Sequence, residues 1–270
     1  MQLHIVSSSQ HSIRSMVLVA GLVFGTSGIA LGDAIPTGWT CSGVCGTLGA
    51  NGVVTLSPIG NSSYEYVTTA GSLATAPLPT GALGSETNGS TLATPLFSAT
   101  AGTDLNFYFN YVTSDGAGYA DYAWAELFNS SNTPVSLLFT ARTEPTGSII
   151  PGTGLPAPTA TLTPSSVPII PGGPDWSPLG SYSGDCYDTG CGYTGWVNSN
   201  YTIGTAGNYY LEVGVTNWLD QKYDSGLAMD GVTINGVPIN PSPTPEPSTL
   251  VLLGTALVGG AAAVKRRLIA

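Results

Sequence analysis

The amino-acid sequence predicts an all-β fold, a sandwich or a barrel, between residues 33 and 240. No long stretch of this region places apolar residues at the period of a helix. Short runs instead alternate apolar and polar residues or are rich in β-branched and aromatic residues, and Gly, Asn, Asp or Pro bounds each run. Both observations are typical of strands joined by turns. The predicted strands are 52–59, 104–114, 122–129, 135–142, 207–217 and 231–239.

Residues 143–178 interrupt this pattern, because proline recurs there too often for a central strand. We interpret the segment as a long Pro/Gly-rich surface loop inserted into one sandwich. A linker between two domains is the alternative. The predicted strands on either side share no repeat, so a single sandwich with an insertion is the simpler interpretation.

Charge is unevenly distributed along the 270 residues. All 16 Asp and Glu lie between Asp33 and Glu246, and that interval holds only two basic residues, Arg142 and Lys222. Nucleic-acid backbones are bound through clustered Lys and Arg. We therefore expect no nucleic-acid partner.

Both histidines, His4 and His11, lie at the extreme N-terminus, so the acidic body contains no imidazole. Histidine is the commonest general base and the commonest metal ligand. Its absence excludes His-dependent catalytic triads and His-ligated zinc from the body. Carboxylate pairs and metals with oxygen ligands, such as calcium, remain.

Residues 1–32 have the layout of a signal peptide. A polar start with Arg14 precedes an apolar stretch from Met16 to Gly32, and Ala30 and Gly32 supply the small residues that signal peptidase reads. Cleavage is predicted before Asp33. A buried helix is the alternative, but glycines interrupt the stretch and turn residues follow it.

The C-terminus carries a second apolar segment. Residues 248–264 contain no charge and have the minimum length of a membrane-spanning helix. A basic tail, 265–270, follows directly and is expected to stay in the cytoplasm, which leaves the body outside the inner membrane. An ordinary single-pass anchor would explain these features alone.

Three features in order give this C-terminus a more specific interpretation: Pro245-Glu246-Pro247 in the linker 241–247, the apolar segment, and Lys265-Arg266-Arg267. This order closely resembles the PEP-CTERM sorting signal of Gram-negative bacteria that make exopolysaccharide. The resemblance implies recognition by exosortase, removal near the motif, and delivery to the cell envelope or extracellular matrix. It covers about the last 30 residues.

The four cysteines form two local pairs, Cys41 with Cys45 and Cys186 with Cys191. A four-thiolate zinc site usually shows closer spacing. Because an exported chain meets an oxidising compartment, we expect disulfides. The local pairing is the simplest of the three that four cysteines allow.

Acidic residues and glycines concentrate in residues 113–127 and 215–234. Calcium takes several oxygen ligands on a turn-rich backbone, so a calcium site is one hypothesis, although no EF-hand spacing is present. The alternative is that these aspartates form turns. The candidate ligands are Asp115, Asp121, Asp220, Asp224 and Asp230.

The second of these segments contains the pattern N-x2-D-x3-DSGLA-x-D, from Asn217 to Asp230, followed by a closing strand. Residues 185–234, which include this pattern, and residues 109–129 resemble uncharacterised PEP-CTERM ectodomains. The pattern with its closing strand also resembles galactose-binding-like jelly rolls. The resemblance implies a jelly-roll-like β-sandwich whose last strand packs centrally. It implies no activity and no catalytic residue.

Aromatic and acidic side chains offer two other functions. Trp176 and Trp196 are the tryptophans most expected to be exposed and to stack on sugars, whereas most other aromatic residues should fill the core. A glycan-cleaving enzyme would need two facing carboxylates, for which Glu126 and Glu212 on predicted strands, with Asp121 nearby, are candidates. Spacing alone does not show that any two converge.

The sequence therefore predicts an exported, non-enzymatic β-sandwich that is a structural component of the cell envelope or of an exopolysaccharide matrix. A carbohydrate-binding module is the alternative from another class, and a glycan-cleaving enzyme is the third. The expected partners are signal peptidase, exosortase, the membrane and exopolysaccharide.

Overall fold

The structure is a computed structural model that describes residues 34–239. The predicted signal peptide (1–32), apolar segment (248–264) and basic tail (265–270), together with the motif linker (241–247), lie outside the described residues. Within residues 34–239, no helix has the length and hydropathy needed to cross a membrane.

The described part of the chain consists of fifteen β-strands and two short 3₁₀ helices, Ala117–Tyr119 and Ser177–Tyr182. The strands are β1 (Thr40–Ser42), β2 (Val44–Leu48), β3 (Tyr64–Thr68), β4 (Glu86–Ala93), β5 (Phe97–Ala99), β6 (Thr103–Thr113), β7 (Tyr122–Asn129), β8 (Pro134–Arg142), β9 (Thr161–Thr163), β10 (Ile170–Pro171), β11 (Gly192–Tyr193), β12 (Val197–Ile203), β13 (Gly207–Trp218), β14 (Ser225–Ile234) and β15 (Val237–Pro238).

These strands form two antiparallel sheets, which confirms the predicted all-β sandwich. The small sheet has the order β1-β4-β13-β7-β8, with β5 also on β13, and the large sheet has the order β10-β11-β6-β14-β3-β2. In the large sheet β12 also pairs with β6 and β9, and β15 pairs with β14. The last long strand, β14, lies between β6 and β3, the central position that the jelly-roll resemblance implies.

The core lies between the two sheets and follows the alternation of their strands. Phe107 and Phe109 of β6 are fully buried, whereas Tyr108 between them is half-buried on the other face. Phe109 stacks on Phe139 of the small sheet, with ring centroids 3.7 Å apart and planes 6° from parallel. This contact joins the inner faces of the two sheets.

Each sheet also buries an aromatic side chain on its outer face. Trp124 lies over Gly214 in the small sheet and Trp176 lies over Gly226 in the large sheet, where any larger residue would collide with the indole ring. Loops cover both rings. The carbonyl of Ala76 accepts the indole N–H of Trp124 at 3.3 Å, and Val54 and Leu179 pack in one cluster with Trp176. Both outer faces are therefore partly closed to solvent.

Two sequence expectations need correction. Residues 52–59 form turns and loop in place of a strand, since Val54 makes only an isolated bridge with Asn51. The segment 143–178 is more than a surface loop, because it carries β9 and β10 and fully buries Ile149 and Ile150 in the main core. Its proline-rich sequence still supplies apolar side chains that pack against the sandwich.

Both predicted disulfides are present, Cys41–Cys45 and Cys186–Cys191. Cys41 lies in β1 of the small sheet and Cys45 in β2 of the large sheet. The chain turns between them at Gly43, whose φ of 90° favours glycine and whose surroundings leave no room for a side chain. The first disulfide thus ties the two sheets at one edge.

Candidate functional site

The two acid-rich segments singled out in the sequence meet at one end of the sandwich. The β6–β7 and β13–β14 connections both lie there, because β6 ends beside the start of β14 and β13 ends beside the start of β7. The loop closed by the second disulfide joins them. Together they enclose a cavity of about 310 Å³, the tyrosine–aspartate cleft, lined by Asp115, Tyr119, Tyr187, Asp220, Lys222 and Tyr223.

The loop 219–224 that forms one wall of the cleft has an unusual backbone. Leu219 has a φ of 77° and Tyr223 a φ of 54°, a region that bulky residues rarely adopt. Leu219 N–H donates to the carbonyl of Ser85 at 3.0 Å, and the N–H of Lys222 donates to the Asp220 carboxylate at 2.9 Å. Strained backbone that is held by its surroundings concentrates at binding sites.

Tyrosine rings form the floor and sides of the cleft. Tyr119 meets Tyr187 edge-on at 5.5 Å between centroids, and Tyr187 lies 4.9 Å from Tyr223, which in turn lies 4.8 Å from Tyr182. Tyr187 remains 46% exposed. The neighbouring Tyr119 is the main cause of a raised pKa for Tyr187. Like any tyrosine hydroxyl at neutral pH, that of Tyr187 can donate a hydrogen bond.

Asp115 brings an unused hydrogen-bond acceptor to the cleft. Its side chain is 1% exposed; Oδ1 accepts the Gly116 N–H at 2.6 Å, and Oδ2 has no partner among the described residues. Desolvation raises the pKa of this carboxyl to about 7, with a further contribution from the negative charge of Asp220. A buried acceptor without a partner favours a ligand that donates a hydrogen bond.

Asp121 lies behind the cleft and is fully buried. Its carboxyl accepts hydrogen bonds from the Ser225 hydroxyl at 2.6 Å and from the Trp218 N–H at 2.9 Å. Burial is the main reason that its pKa is raised well above the usual value, and the charge of Asp115 adds to the rise. Asp121 therefore connects the start of β7 to the end of β13 and the start of β14, the strand ends from which the loops of the cleft extend.

The five aspartates proposed as calcium ligands do not share one site. Asp115 and Asp220 line the cleft, whereas Asp224 accepts a hydrogen bond from Thr69 and Asp230 accepts bonds from Ser57 and Asn61. Within residues 34–239, no group of three or more His, Cys, Asp or Glu side chains is arranged to hold a metal ion. The calcium hypothesis stays a prediction.

The two tryptophans proposed as glycan contacts lie outside the cleft lining. The expectation that Trp176 is exposed is wrong: its ring is fully buried against the large sheet, and its N–H donates to the Tyr64 hydroxyl at 2.9 Å. Trp196 is half-buried, meets Tyr64 edge-on and donates its N–H to the carbonyl of Thr55 at 3.0 Å. Only Trp196 keeps a partly exposed ring.

The structure brings together the two carboxylates proposed for catalysis. Glu126 of β7 and Glu212 of β13 are directly opposite in register, and residues opposite each other project from the same face of a sheet. The two side chains therefore stand side by side. Glycoside hydrolysis needs two carboxyl groups that flank the scissile bond.

Sequence reasoning located the acid-rich segments of the cleft but missed its tyrosines and Lys222. Tyr119, Tyr187 and Tyr223 are spread over three connections, so no local pattern joins them. One signal was available: Tyr187 lies inside a disulfide loop, where a large aromatic side chain has little core to enter.

Three comparisons with known proteins bear on this chain. Residues 243–267 match the family model of the PEP-CTERM protein-sorting motif. The search of curated proteins gave no match. The solved structures described next share 9–11% of its sequence.

A cleaved adhesin domain of Lys-gingipain from Porphyromonas gingivalis has 11% identity and a TM-score of 0.33, over 74% of this chain and 91% of that one. A carbohydrate-binding module of the β-sandwich superfamily has 11% identity and a TM-score of 0.31, over 75% and 62%. The enzymatically active domain of a tailspike protein from bacteriophage CBA120 has 9% identity and a TM-score of 0.31, over 73% and 19%.

The family match covers the segment in which the sequence analysis recognised a sorting signal, from Pro243 to Arg267. That prediction is confirmed. The chain carries a PEP-CTERM protein-sorting motif at its C-terminus, which implies export and processing by an exosortase.

Proposed function

We propose that this chain is an exported, non-enzymatic component of the cell envelope or of an exopolysaccharide matrix, and that its tyrosine–aspartate cleft binds a sugar residue of that polysaccharide. Signal peptidase would cut before Asp33. The apolar segment 248–264 would hold the precursor in the inner membrane until exosortase cuts near Pro245-Glu246-Pro247. The observation that carries the proposal is the unpartnered oxygen of Asp115 in a cavity lined by tyrosines.

The chemistry of the cleft suits a sugar. Tyrosine rings present flat apolar faces with a polar edge, and the carboxylates of Asp115 and Asp220 accept hydrogen bonds from hydroxyl groups. A cavity of about 310 Å³ is at the small end of the range for ligand sites. Two acids and one lysine line it, so neutral sugars should be preferred over uronic acids.

A glycan-cleaving enzyme is the weaker alternative. The described body has no histidine, and the convergent carboxylates Glu126 and Glu212 stand side by side on one sheet face. The acidic and basic residues of the cleft are Asp115, Asp220 and Lys222. The carboxylates of Asp115 and Asp220 accept hydrogen bonds from backbone N–H groups, and no two of these three side chains form a hydrogen-bonded pair of nucleophile and base.

Replacing Tyr187 with alanine should weaken polysaccharide binding about 5-fold, since one aromatic contact contributes roughly 1 kcal/mol. Binding would be measured by isothermal titration or by retention on neutral polysaccharides. Tyr108→Ala is the matched control, because Tyr108 is a half-buried tyrosine of β6 that does not line the cleft. Equal losses in the two variants would contradict the proposal, and loss only in Trp196→Ala would move the sugar site to Trp196.

The calcium hypothesis has a separate test. If calcium binds the folded chain, the melting temperature should be higher in excess calcium than in chelator, because a ligand of the native state raises apparent stability. Asp220→Asn should then reduce that difference. Equal melting temperatures in the two buffers would remove calcium from the proposal without affecting sugar binding.

A further inference from the structure

A second cavity of about 310 Å³ lies on the outer face of the small sheet and shares no lining residue with the tyrosine–aspartate cleft. One wall comes from β7 and β8, and the other from the loops around residues 80 and 156–159. We call this cavity the glutamate pocket. Its lining consists of Thr80, Glu126, Pro134, Val135, Ser136, Leu137, Pro156, Ala157 and Thr159.

Glu126 is the only acidic residue in that lining, and no side chain of the described residues is hydrogen-bonded to its carboxylate. The side chain is 1% exposed, and neither Oε1 nor Oε2 makes a hydrogen bond of normal geometry there, although the backbone amide of Thr80 is near enough to stabilise the charge. Glu212, half-buried, is directly opposite on β13. Two like charges at opposite positions of a sheet repel each other. A proton on one carboxylate, or a cation bound to it, would relieve the repulsion between Glu126 and Glu212.

No basic side chain of the body supplies that cation. The body contains only Arg142 and Lys222. The guanidinium of Arg142 donates to the carbonyls of Ala120 and Thr153 and lies 4.7 Å from the Trp218 ring centroid. Lys222 lines the other cleft. A counter-charge for Glu126 therefore has to come from a proton or from a ligand.

The protonation of Glu126 changes close to neutral pH. Burial raises its pKa to about 7, the charge of Glu212 adds to this rise, and the amide of Thr80 partly opposes it. The other elements around the pocket, β8 and the two loops, contribute no titratable side chain to its lining. Above neutral pH the pocket thus holds a buried negative charge.

We propose that the glutamate pocket binds a primary ammonium group carried by a small polar molecule, of which an amino sugar is the class that fits. The three N–H donors of an ammonium match the two unused oxygens of Glu126 and one hydroxyl oxygen. Ser136 and Thr159, which are hydrogen-bonded to each other, and Thr80 offer that hydroxyl. Because the lining has no second carboxylate, an ammonium fits better than a divalent metal.

The size and polarity of the pocket favour a sugar as the carrier of the ammonium. A cavity of about 310 Å³ has room for one pyranose ring. Proline, valine and alanine side chains on its walls can contact ring carbons, while the hydroxyls of Thr80 and Ser136 can meet ring hydroxyls. This proposal does not depend on sugar binding in the tyrosine–aspartate cleft.

Thermal melting slightly above neutral pH would test the proposal with methylammonium, glucosamine, N-acetylglucosamine and tetramethylammonium. Methylammonium and glucosamine should raise the melting temperature by about 3 °C at roughly ten times the dissociation constant. N-acetylglucosamine has no ammonium and tetramethylammonium has no N–H donor, so neither should give a shift that depends on Glu126. A shift with methylammonium but none with glucosamine would overturn the assignment to amino sugars.

Glu126→Gln should abolish the methylammonium shift and Asp104→Asn should preserve it, because Asp104 is exposed and lines neither cavity. Equal methylammonium shifts in the wild type and Glu126→Gln would overturn the proposal, as would loss of the shift in Asp104→Asn. If Glu126→Gln does not fold, the pH dependence of the wild-type affinity for methylammonium would test the proposal instead. It should fall roughly 10-fold or more between pH 8 and pH 5, as Glu126 becomes protonated. A constant affinity would contradict the proposal.

Discussion

Replacing Trp176 with alanine should lower the free energy of unfolding by about 3–5 kcal/mol, the usual cost of removing a large buried aromatic side chain. The indole is fully buried between the large sheet and the loops that cover it, and its ring fills the space over Gly226. The substitution also leaves the buried Tyr64 hydroxyl without the indole N–H that it accepts at 2.9 Å. Denaturant unfolding followed by circular dichroism would measure the loss.

Trp196→Ala is the matched control for this prediction. Trp196 contacts the same Tyr64 but is half-buried, so its loss should cost less, about 1–2 kcal/mol. If Trp176→Ala kept full stability and lost only polysaccharide binding, that result would contradict the burial of Trp176. The comparison thus separates a packing role from a binding role.

The stability of the chain should fall as the pH rises from about 4 to about 7. Asp115 and Glu126 both have a folded-state pKa of about 7, above the usual carboxyl value, because burial disfavours their charged forms. The folded state therefore holds these two protons more tightly than the unfolded state. Their stabilising contribution is fully present below about pH 4 and is lost as the pH rises through about 7.

The expected loss is roughly 2 kcal/mol for each of the two carboxyl groups, after allowance for solvent screening. Asp121, also buried with a raised pKa, acts in the same direction. Urea unfolding at a series of pH values would measure the slope. In the double variant Asp115→Asn, Glu126→Gln the decline should be much smaller, and the variant should be more stable than the wild type above pH 7. A wild-type stability that rises over this pH range would contradict the prediction.

The fold was predictable wherever a strand is long enough to show an alternation of apolar and polar residues within its own sequence. The run at 122–129 coincides with β7, and those at 104–114, 135–142 and 207–217 correspond to β6, β8 and β13. These strands bury aromatic and β-branched side chains on regular alternating faces. Short strands such as β1, β9 and β11 carry too few residues for any periodicity, and their pairing comes from distant partners.

The position of Trp176 was not predictable for a similar reason. Its neighbours in sequence are prolines, glycines and an aspartate, which indicate a surface loop. Its burial depends on Gly226 and Tyr64, which are distant in the chain. A local pattern does not contain such a contact.

The candidate site was predictable in part. Asp115 and Asp220 were recognised because acidic residues and glycines cluster around them in the sequence. Their convergence depends on β6–β7 and β13–β14 lying at the same end of the sandwich, which is a property of the topology. The pairing of Glu126 with Glu212 depends on strand register, which spacing within one strand does not determine.

The central position of β14 bears on how the body resists mechanical load. A pull on the chain beyond Ile239 would first peel away the two-residue strand β15 and then act along β14. Because β14 is bonded to β6 on one side and to β3 on the other, such a pull has to shear two rows of hydrogen bonds at once. If the domain is tethered through its C-terminal end, the pulling force acts on β14, which is hydrogen-bonded on both sides. We therefore expect a low unfolding rate under force.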